Sequence, residues 1–323
     1  MPSILERVPH GGRVLVIRLR SLGDCVLSTP ALTLLKQNRP DLRLAVVVED
    51  RFRAIFEGNP DIDSLLPPET AAVRGWRPHL ALNLHGGSRS AALTAVSGAK
   101  WRAGFAHFRN SIVYNVQIPT AQAILHINRK VHTCEQMASA VFYLGVPMTE
   151  IPRARLYADS VPAGQYAVLH PFASQPDKTW PAERFLSVAK RLRDDFALEP
   201  IFIGGRNEKF GDRRSIPRFP GPEQAEKLGN APSVPEFRMV AGAPLGDVKS
   251  LLSRAMLFVG NDSGPAHMAA AFGVPSVVLF GSSDPIIWAP WRTTAEVLTH
   301  PGGIAAISVN DVLTALERMR VHV

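Results

Sequence analysis

Short apolar runs alternate with amphipathic stretches along this chain, and the whole pattern occurs twice. Strand periodicity predicts strands at residues 14–19, 42–48, 80–84, 166–170, 200–203, 257–259 and 276–280. Helix periodicity predicts helices at residues 26–37, 131–144, 182–195, 245–255, 266–272 and 309–319. Because strands that alternate with helices form βαβ units, the sheets should be parallel.

A segment without clear periodicity joins the two halves, and it contains Pro147, Pro152 and Pro162. We expect an N-terminal domain at 1–150, a linker at 151–164 and a C-terminal domain at 165–323. The predicted fold class is α/β, with two doubly wound, Rossmann-like parallel sheets that face a cleft. Ligands of such sheets bind beyond the carboxyl ends of the strands. Residues 206–235 are rich in Gly, Pro and charge, and we interpret them as a long irregular loop.

Positive charge is concentrated in one stretch of the first half. The chain has 36 Lys and Arg against 28 Asp and Glu, a net charge of +8, yet residues 70–134 contain no acidic side chain. Such a field is typical of a surface that faces an anion. The alternative is a solvated face whose acidic partners come from elsewhere in the fold. No helix-turn-helix, zinc-finger or RNA-binding signature is present, so nucleic acid is not an expected partner.

Composition places the chain among ordinary globular proteins. Hydrophobic residues make up 46% and charged residues 20%. The sequence has no run of about 18 apolar residues, and its first residues lack the apolar core of a signal peptide. We therefore expect a cytoplasmic protein, in which Cys25 and Cys134 are reduced and buried.

The first motif with chemical meaning is Arg18-Leu19-Arg20-Ser21-Leu22-Gly23-Asp24, directly after the first predicted strand. Gly23 permits a tight turn, which places Asp24 at the start of the following helix. A carboxylate there is either a helix cap or a general base held at the mouth of a cleft. The residues alone leave both interpretations open. No G-x-G-x-x-G occurs here, so a dinucleotide site is not supported.

Lys178 follows the first predicted strand of the second half. A lysine beside a helix N-terminus can hold a diphosphate through its charge. The alternative for a single loop lysine is solvation.

A more specific motif, Asn261-Asp262-Ser263-Gly264-Pro265-Ala266-His267, runs from a strand through a polar turn into a helix. Ser263 and Gly264 can offer N–H groups to a phosphate, and Asp262 can accept hydrogen bonds from sugar hydroxyls. His267 either points at the phosphate or packs in the core. The run Gly281-Ser282-Ser283-Asp284-Pro285 repeats this arrangement after the next strand.

On these motifs the sequence resembles the bacterial heptosyltransferases of glycosyltransferase family 9, over nearly the whole chain. The motifs that carry the resemblance are Ser21-Leu22-Gly23-Asp24 with Thr29-Pro30-Ala31, Lys178-Thr179-Trp180-Pro181, and residues 261–267. Asn83-Leu84-His85-Gly86 and Arg102-Ala103-Gly104-Phe105 match weaker family patterns. The resemblance implies a GT-B fold and an inverting transfer of heptose from an ADP-activated donor. The implied acceptor is the lipopolysaccharide inner core, of the lipid A–Kdo type.

The resemblance also implies roles for individual residues. It implies that Asp24 is the general base, that Lys178 binds the diphosphate and that Asp262 contacts the donor sugar. The other implied donor-binding residues are Ser263, Gly264, His267, Ser282, Ser283 and Glu208. The implied acceptor-binding residues are Arg20, Arg89, Arg102 and Arg109. Residues 239–242 are the expected walls of the base pocket, and an anionic glycolipid acceptor makes peripheral contact with the inner membrane surface a further expectation.

No metal or other cofactor is expected. Asp61-Ile62-Asp63 spells the D-x-D of metal-dependent glycosyltransferases, but it follows Asn59-Pro60 and is more simply a turn before an edge strand. The histidines at 79, 85, 107, 126 and 132 show no metal-ligand spacing.

Two other functions remain open at this point. One is the same fold with another nucleotide sugar or acceptor in surface glycan synthesis. The other is a GT-B sugar-nucleotide epimerase, which needs no acceptor site and which the acid-free stretch disfavours.

Overall fold

The computed structural model describes residues 2–159, 164–204 and 237–319. The chain divides into two compact units, Met1–Ala158 and Asp159–Val323. The division falls within residues 151–164. Residues 151–158 belong to the first unit, because Ile151, Ala154 and Leu156 are buried there. The backbone N–H of Arg155 also donates to Oγ1 of Thr29, at 3.1 Å.

The first unit contains a six-stranded parallel sheet in the order β3-β2-β1-β4-β5-β6. Its strands are β1 (Arg13–Ile17), β2 (Arg43–Val47), β3 (Ser64–Leu66), β4 (Leu80–Asn83), β5 (Trp101–Phe105) and β6 (Val116–Ile118). Its helices are α1 (Ile4–Arg7), α2 (Leu22–Asn38), α3 (Thr70–Gly75), α4 (Ser88–Val96), α5 (Ala121–Leu125) and α6 (Thr133–Leu144). This is the doubly wound order, in which the direction of winding reverses between β1 and β4.

The second unit repeats the topology, with a six-stranded parallel sheet in the order β12-β11-β10-β7-β8-β9. Its strands are β7 (Tyr166–His170), β8 (Glu199–Gly204), β9 (Arg238–Ala241), β10 (Leu257–Asn261), β11 (Ser276–Leu279) and β12 (Ala295–Leu298). Its described helices are α7 (Ala182–Phe196), α8 (Leu245–Leu252), α9 (Gly264–Phe272), α10 (Pro285–Trp288) and α11 (Val309–Met319). Winding reverses between β7 and β10. The segment predicted as a loop at 206–235 lies outside the described residues.

Each unit has its own core. In the first unit, Leu15 of β1, Ala45 of β2 and Ala81 of β4 are buried in one hydrophobic cluster. In the second, Trp180 is fully buried, donates its indole N–H to the carbonyl oxygen of Ile307 at 2.8 Å, and packs edge-on against the ring of Phe185. Among the described residues, no helix has the length and apolarity needed to cross a membrane.

Helix α2 begins four residues earlier than its periodicity predicts, so that Pro30 lies in its middle. A proline lacks the N–H that would bond to the carbonyl four residues before it, which here is that of Val26. The hydroxyl of Thr29 donates to that carbonyl at 2.8 Å. The neighbouring threonine therefore satisfies the acceptor that Pro30 leaves open, and the helix continues to Asn38.

Candidate functional site

The winding reversals place the predicted motifs where open α/β sheets bind ligands. In the first unit, the loops after β1 and β4 lead to Asp24 and His85. In the second unit, the loops after β7 and β10 lead to Lys178 and Asp262. At such a reversal two neighbouring loops turn to opposite faces of the sheet and leave a crevice between them.

Asp24 lies in the first turn of α2, and both of its carboxylate oxygens have partners. Oδ1 forms an ion pair with the guanidinium of Arg18. Oδ2 accepts a hydrogen bond of 2.8 Å from the hydroxyl of Ser21 and a longer one, 3.5 Å, from its backbone N–H. The side chain of Asp24 remains 23% exposed. The capping role that the sequence suggests is thus present, and the exposed part of the carboxylate remains accessible.

Arg18 is the residue that the sequence motif does not reveal as a partner of Asp24. Its side chain is only 5% exposed, and it also donates to the backbone carbonyl of Leu84 in the loop after β4. One buried guanidinium therefore links the two loops at the winding reversal. The available signal is a charged side chain immediately after the apolar strand β1, since a buried arginine needs an anionic or carbonyl partner.

Two of the predicted acceptor-binding arginines lie at this edge of the sheet. Arg20 is exposed in the loop before α2. Arg89 is 60% exposed on α4, and its guanidinium lies 3.9 Å from the carboxylate of Glu49, which follows β2. The acid-free stretch thus receives one of its acidic partners from outside itself.

Arg109 lies in the exposed turn after β5 and has no ion-pair partner among the described residues. The turn is anchored over the loop after β4, because the amide of Asn110 donates to the hydroxyl of Ser88 at 3.1 Å. Arg109 is therefore also at the carboxyl edge of the first sheet.

Arg102 differs from the other three. It is the second residue of β5, and its guanidinium donates to the carbonyl oxygens of Val113 and Ala99, at 3.0 and 3.2 Å. These bonds hold the segments at the amino end of the strand, away from the loops that carry Asp24 and Arg109. Arg102 therefore has structural contacts at that end, and we expect it to hold the fold and not to bind the acceptor.

The second unit brings three predicted donor-binding residues together. The carboxylate of Asp262 is 8% exposed, and its Oδ2 accepts a hydrogen bond of 2.5 Å from the hydroxyl of Ser283. Nζ of Lys178 lies 3.9 Å from the same oxygen. Burial raises the pKa of Asp262, while the hydrogen bond from Ser283 and the charge of Lys178 act in the opposite direction. At 3.9 Å the ammonium is near the carboxylate without forming a short ion pair, so it can still bind an anion.

Ser263 and Gly264 form the start of α9, where backbone N–H groups have no partner within the helix. The hydroxyl of Ser263 lies 3.0 Å from Nδ1 of His170, the last residue of β7. Burial lowers the pKa of His170 to about 4, so the ring is neutral at pH 7. Sequence reasoning assigned no role to this histidine, whose ring contacts the hydroxyl of Ser263.

The other residues that were predicted to bind the donor lie at separate positions. His267 is buried within α9, with its ring 6.4 Å from that of Trp288. Ser282 is exposed in the turn after β11. Residues 239–242 span the end of β9 and the residue after it. Glu208 lies outside the described residues.

No cluster of three or more His, Cys, Asp or Glu side chains that could hold a metal ion occurs among the described residues. Both carboxylates of the D-x-D sequence have structural partners. Asp61 accepts a hydrogen bond from Thr33 at 2.8 Å, and Asp63 accepts one from the backbone of Leu44 at 2.7 Å and pairs with Lys36 at 3.2 Å.

Comparisons with known proteins identify the family of this chain. The family description "Glycosyltransferase family 9 (heptosyltransferase)" matches residues 72–305. An Escherichia coli protein named lipopolysaccharide heptosyltransferase 3 is 24% identical over 310 residues, which cover 84% of each chain.

Solved structures share the fold. A glycosyl transferase family 9 protein from Veillonella parvula DSM 2008 aligns with a TM-score of 0.78 at 21% identity, covering 98% of this chain and 99% of that chain. E. coli heptosyltransferase WaaC with ADP-2-deoxy-2-fluoro heptose aligns with a TM-score of 0.72 at 22% identity, covering 95% of this chain and 99% of that chain. The predicted α/β fold class of the GT-B type is confirmed. The protein is a glycosyltransferase, and its chain belongs to glycosyltransferase family 9, the heptosyltransferase family.

Proposed function

We propose that this protein is an inverting heptosyltransferase that uses an ADP-activated heptose and a lipopolysaccharide inner-core acceptor of the lipid A–Kdo type. The observation that carries the proposal is the grouping of Lys178, Asp262 and Ser283 at the winding reversal of a family 9 chain. Solved WaaC of similar fold contains ADP-2-deoxy-2-fluoro heptose, and an E. coli relative is named a lipopolysaccharide heptosyltransferase. Both support the donor and the acceptor class.

The first unit supplies the base in this mechanism. Asp24 removes the proton from an acceptor hydroxyl, whose oxygen then attacks the anomeric carbon of the donor from the side opposite the diphosphate. A carboxylate oxygen has two lone pairs, so the existing bonds to Arg18 and Ser21 leave room to accept a proton. Single displacement inverts the configuration of that carbon.

The second unit stabilises the leaving group. Lys178 supplies a positive charge, and the free N–H groups at Ser263 and Gly264 donate to the phosphate oxygens. Asp262 and Ser283 hold the donor sugar through its hydroxyls. These groups offset the diphosphate charge without a metal, so addition of EDTA should leave turnover unchanged.

The acceptor binds beside Arg20, Arg89 and Arg109, whose charges attract its phosphate and carboxylate groups. Because such an acceptor is a lipid in the inner membrane, the enzyme works from the cytoplasm in peripheral contact with that membrane.

The test begins with a thermal-shift comparison of ADP, UDP and GDP. A ligand at 100 times its dissociation constant should stabilise the protein by about 2.7 kcal/mol, and we expect ADP to do so at the lowest concentration. Lys178→Ala should weaken ADP binding by roughly tenfold or more, since hydrogen bonds to charged groups are worth about 1.5–3 kcal/mol. Lys190→Ala, on the exposed face of α7, is the matched control and should bind ADP normally.

Transfer of heptose from ADP-heptose to deacylated inner core is the second arm of the test. Stabilisation by UDP or GDP at a lower concentration than ADP would show that the sugar donor carries that nucleotide and not ADP. Normal ADP binding by Lys178→Ala would remove Lys178 from the diphosphate site.

A further inference from the structure

His85 lies at the winding reversal of the first sheet, and the mechanism above does not use it. Its Nδ1 is 3.1 Å from the backbone carbonyl of Arg20, in the loop that leads to Asp24. The residue before it, Leu84, accepts the hydrogen bond from Arg18, the partner of Asp24. The imidazole therefore packs against the same backbone that positions the proposed base.

This contact determines which ring nitrogen carries the hydrogen. A carbonyl oxygen only accepts hydrogen bonds, so Nδ1 donates, and in the neutral ring Nε2 is then an acceptor. Burial lowers the pKa of His85, and the charges of Arg18 and Arg20 act in the same direction, while the bond to the Arg20 carbonyl and the charge of Asp24 oppose it. The ring is therefore neutral at pH 7.

Nε2 is available to a ligand. Among the residues that the structure describes, it has no hydrogen-bond partner. The next two residues are Gly86 and Gly87, and a Cβ built on Gly87 would lie 3.6 Å from Nε2. Gly87 thus places no side chain beside this nitrogen, and the ring is only half-buried.

We propose that Nε2 of His85 accepts a hydrogen bond from a second hydroxyl of the acceptor sugar, adjacent to the hydroxyl that Asp24 deprotonates. The inference rests on the proposed transfer reaction. A sugar ring presents neighbouring hydroxyls, and a carboxylate and an imidazole acceptor on adjoining loops can read such a pair together. His85 is then a specificity-determining residue, because it selects which hydroxyl faces Asp24.

Two substitutions at this position separate the substrate contact from the contact with the loop. An asparagine amide reaches the position of Nδ1, so His85→Asn keeps a donor for the Arg20 carbonyl and loses the acceptor at Nε2. A glutamine amide reaches the position of Nε2, so His85→Gln keeps an acceptor there and loses the donor. We expect His85→Asn to raise the acceptor KM by roughly tenfold, with an unchanged donor KM, and His85→Gln to stay near the wild-type value.

His79→Asn is the matched control. His79 precedes β4 at the opposite edge of the same sheet, where its Nδ1 accepts a hydrogen bond of 3.0 Å from the backbone of Arg13. The acceptor KM of His79→Asn should equal that of the wild type. The reverse pattern, with activity kept in His85→Asn and lost in His85→Gln, would mean that His85 only holds the loop.

The pH dependence provides a readout that a purely structural role would not change. Arg18 and Arg20 keep their charge throughout, and Asp24 is present in every variant. As pH falls through the lowered pKa of His85, Nε2 gains a proton and stops accepting, so the acceptor KM of the wild type should rise, whereas that of His85→Gln should not. Transfer by the wild type with no effect of His85→Asn would overturn this inference alone, whereas failure of the wild type to transfer heptose would overturn the proposed function.

Discussion

At the residue scale, Asp24 has structural contacts beside its proposed role as the general base. The sequence leaves a helix cap and a general base as equal interpretations. The structure adds a contact that neither interpretation includes, with the buried guanidinium of Arg18, which the carboxylate neutralises. Asparagine can replace aspartate as a cap, but it cannot neutralise Arg18. We therefore expect substitution of Asp24 to affect stability as well as the proposed proton transfer.

We predict that Asp24→Asn lowers the transfer rate by about 10²–10⁴-fold, the usual contribution of a positioned base. It should also reduce the free energy of unfolding by about 1–3 kcal/mol, because Arg18 loses a charged partner in a buried position. Steady-state rates and urea unfolding measure the two effects separately.

The double variant Arg18→Met with Asp24→Asn provides the control for that prediction. It removes both charges but also loses the bond of Arg18 to the Leu84 carbonyl, so stability should recover in part while turnover does not recover. Recovery of turnover in the double variant would show that Asp24 acts on the fold and not on the acceptor hydroxyl.

His170 gives a second prediction at this scale, which concerns the pH dependence of stability. Its pKa is lowered from 6.5 to about 4 by burial. As pH falls below 6.5, the unfolded chain binds a proton at His170 that the folded chain does not bind. The stability that the neutral ring contributes is therefore fully present above pH 6.5 and is lost as pH falls to about 4. When the pH is lowered from about 7.5 to about 5.5, His170 should reduce the free energy of unfolding by roughly 1 kcal/mol.

Hydrogen exchange of the β7 amides measures this loss within the second unit. His170→Asn keeps a side-chain amide near Ser263 and does not titrate, so the protection factors of its β7 amides, which correct for the intrinsic pH dependence of exchange, should not change over that interval. Asp262 has a raised pKa and works in the opposite sense, adding stability only at lower pH. An equal loss of protection in His170→Asn would show that another group causes the pH dependence of stability.

At the element scale, the close approach of two loops positions Lys178. A Cβ built on Gly281, in the turn after β11, would lie 1.9 Å from the carbonyl oxygen of Asp177 and 2.9 Å from Cα of Lys178. No side chain fits there. The absence of one at Gly281 lets the loop after β7 pack against the turn that carries Ser283.

Gly281→Ala should therefore displace the loop at 175–178. We predict a loss of about 1–3 kcal/mol in the free energy of unfolding, as for other overpacked sites, together with weaker ADP binding. Gly246→Ala is the matched control, because a Cβ at that position in α8 meets no atom within 4 Å. Its helix should gain up to about 1 kcal/mol, with unchanged ADP binding. Calorimetric titration of ADP into both variants decides the outcome, and unaltered affinity in Gly281→Ala would show that the packing does not position Lys178.

The elements that could be predicted are those with long apolar runs, and β7 and α11 agree with the sequence at both ends. The missed strands lack such runs. In β5, Arg102 and Gly104 interrupt the apolar pattern, and Gly104 is needed because a Cβ there would lie 2.7 Å from the ring of Tyr114. The strand is thus specified by contacts distant in sequence, which local periodicity does not contain.

At the scale of the whole molecule, topology explains which site residues could be predicted. Motifs directly after strands lie at the carboxyl edge of a parallel sheet, so the positions of Asp24, Lys178 and Asp262 at that edge could be predicted, whereas the roles proposed for them rest on the family resemblance. The position of Arg102 could not be predicted, because it lies at the start of an unpredicted strand, near the other end of the sheet. His85 and Arg18 are placed by contacts with the backbone carbonyls of Arg20 and Leu84, and the sequence does not show which carbonyl each side chain meets.

The difference between arginines at the two ends of the first sheet gives a prediction about its positive charge. Arg109→Gln should raise the acceptor KM several-fold at low ionic strength, because an exposed cation attracts the anionic acceptor over a long distance. The increase should be largest at about 10 mM salt and nearly vanish at about 1 M, where charges are screened within about 3 Å. Donor KM and unfolding should not change.

Arg102→Gln removes the same charge from the same unit and should behave differently. Its guanidinium bonds to Val113 and Ala99 stabilise the start of β5, so we predict a loss of about 1–2 kcal/mol in unfolding free energy. The acceptor KM should stay near its wild-type value at every salt concentration. Kinetics over a salt series and urea unfolding of both variants separate a charge that acts on the acceptor from one that holds the fold. A salt-dependent rise in KM for Arg102→Gln would return Arg102 to the acceptor site, since the loss of two bonds to neutral carbonyls cannot by itself produce one.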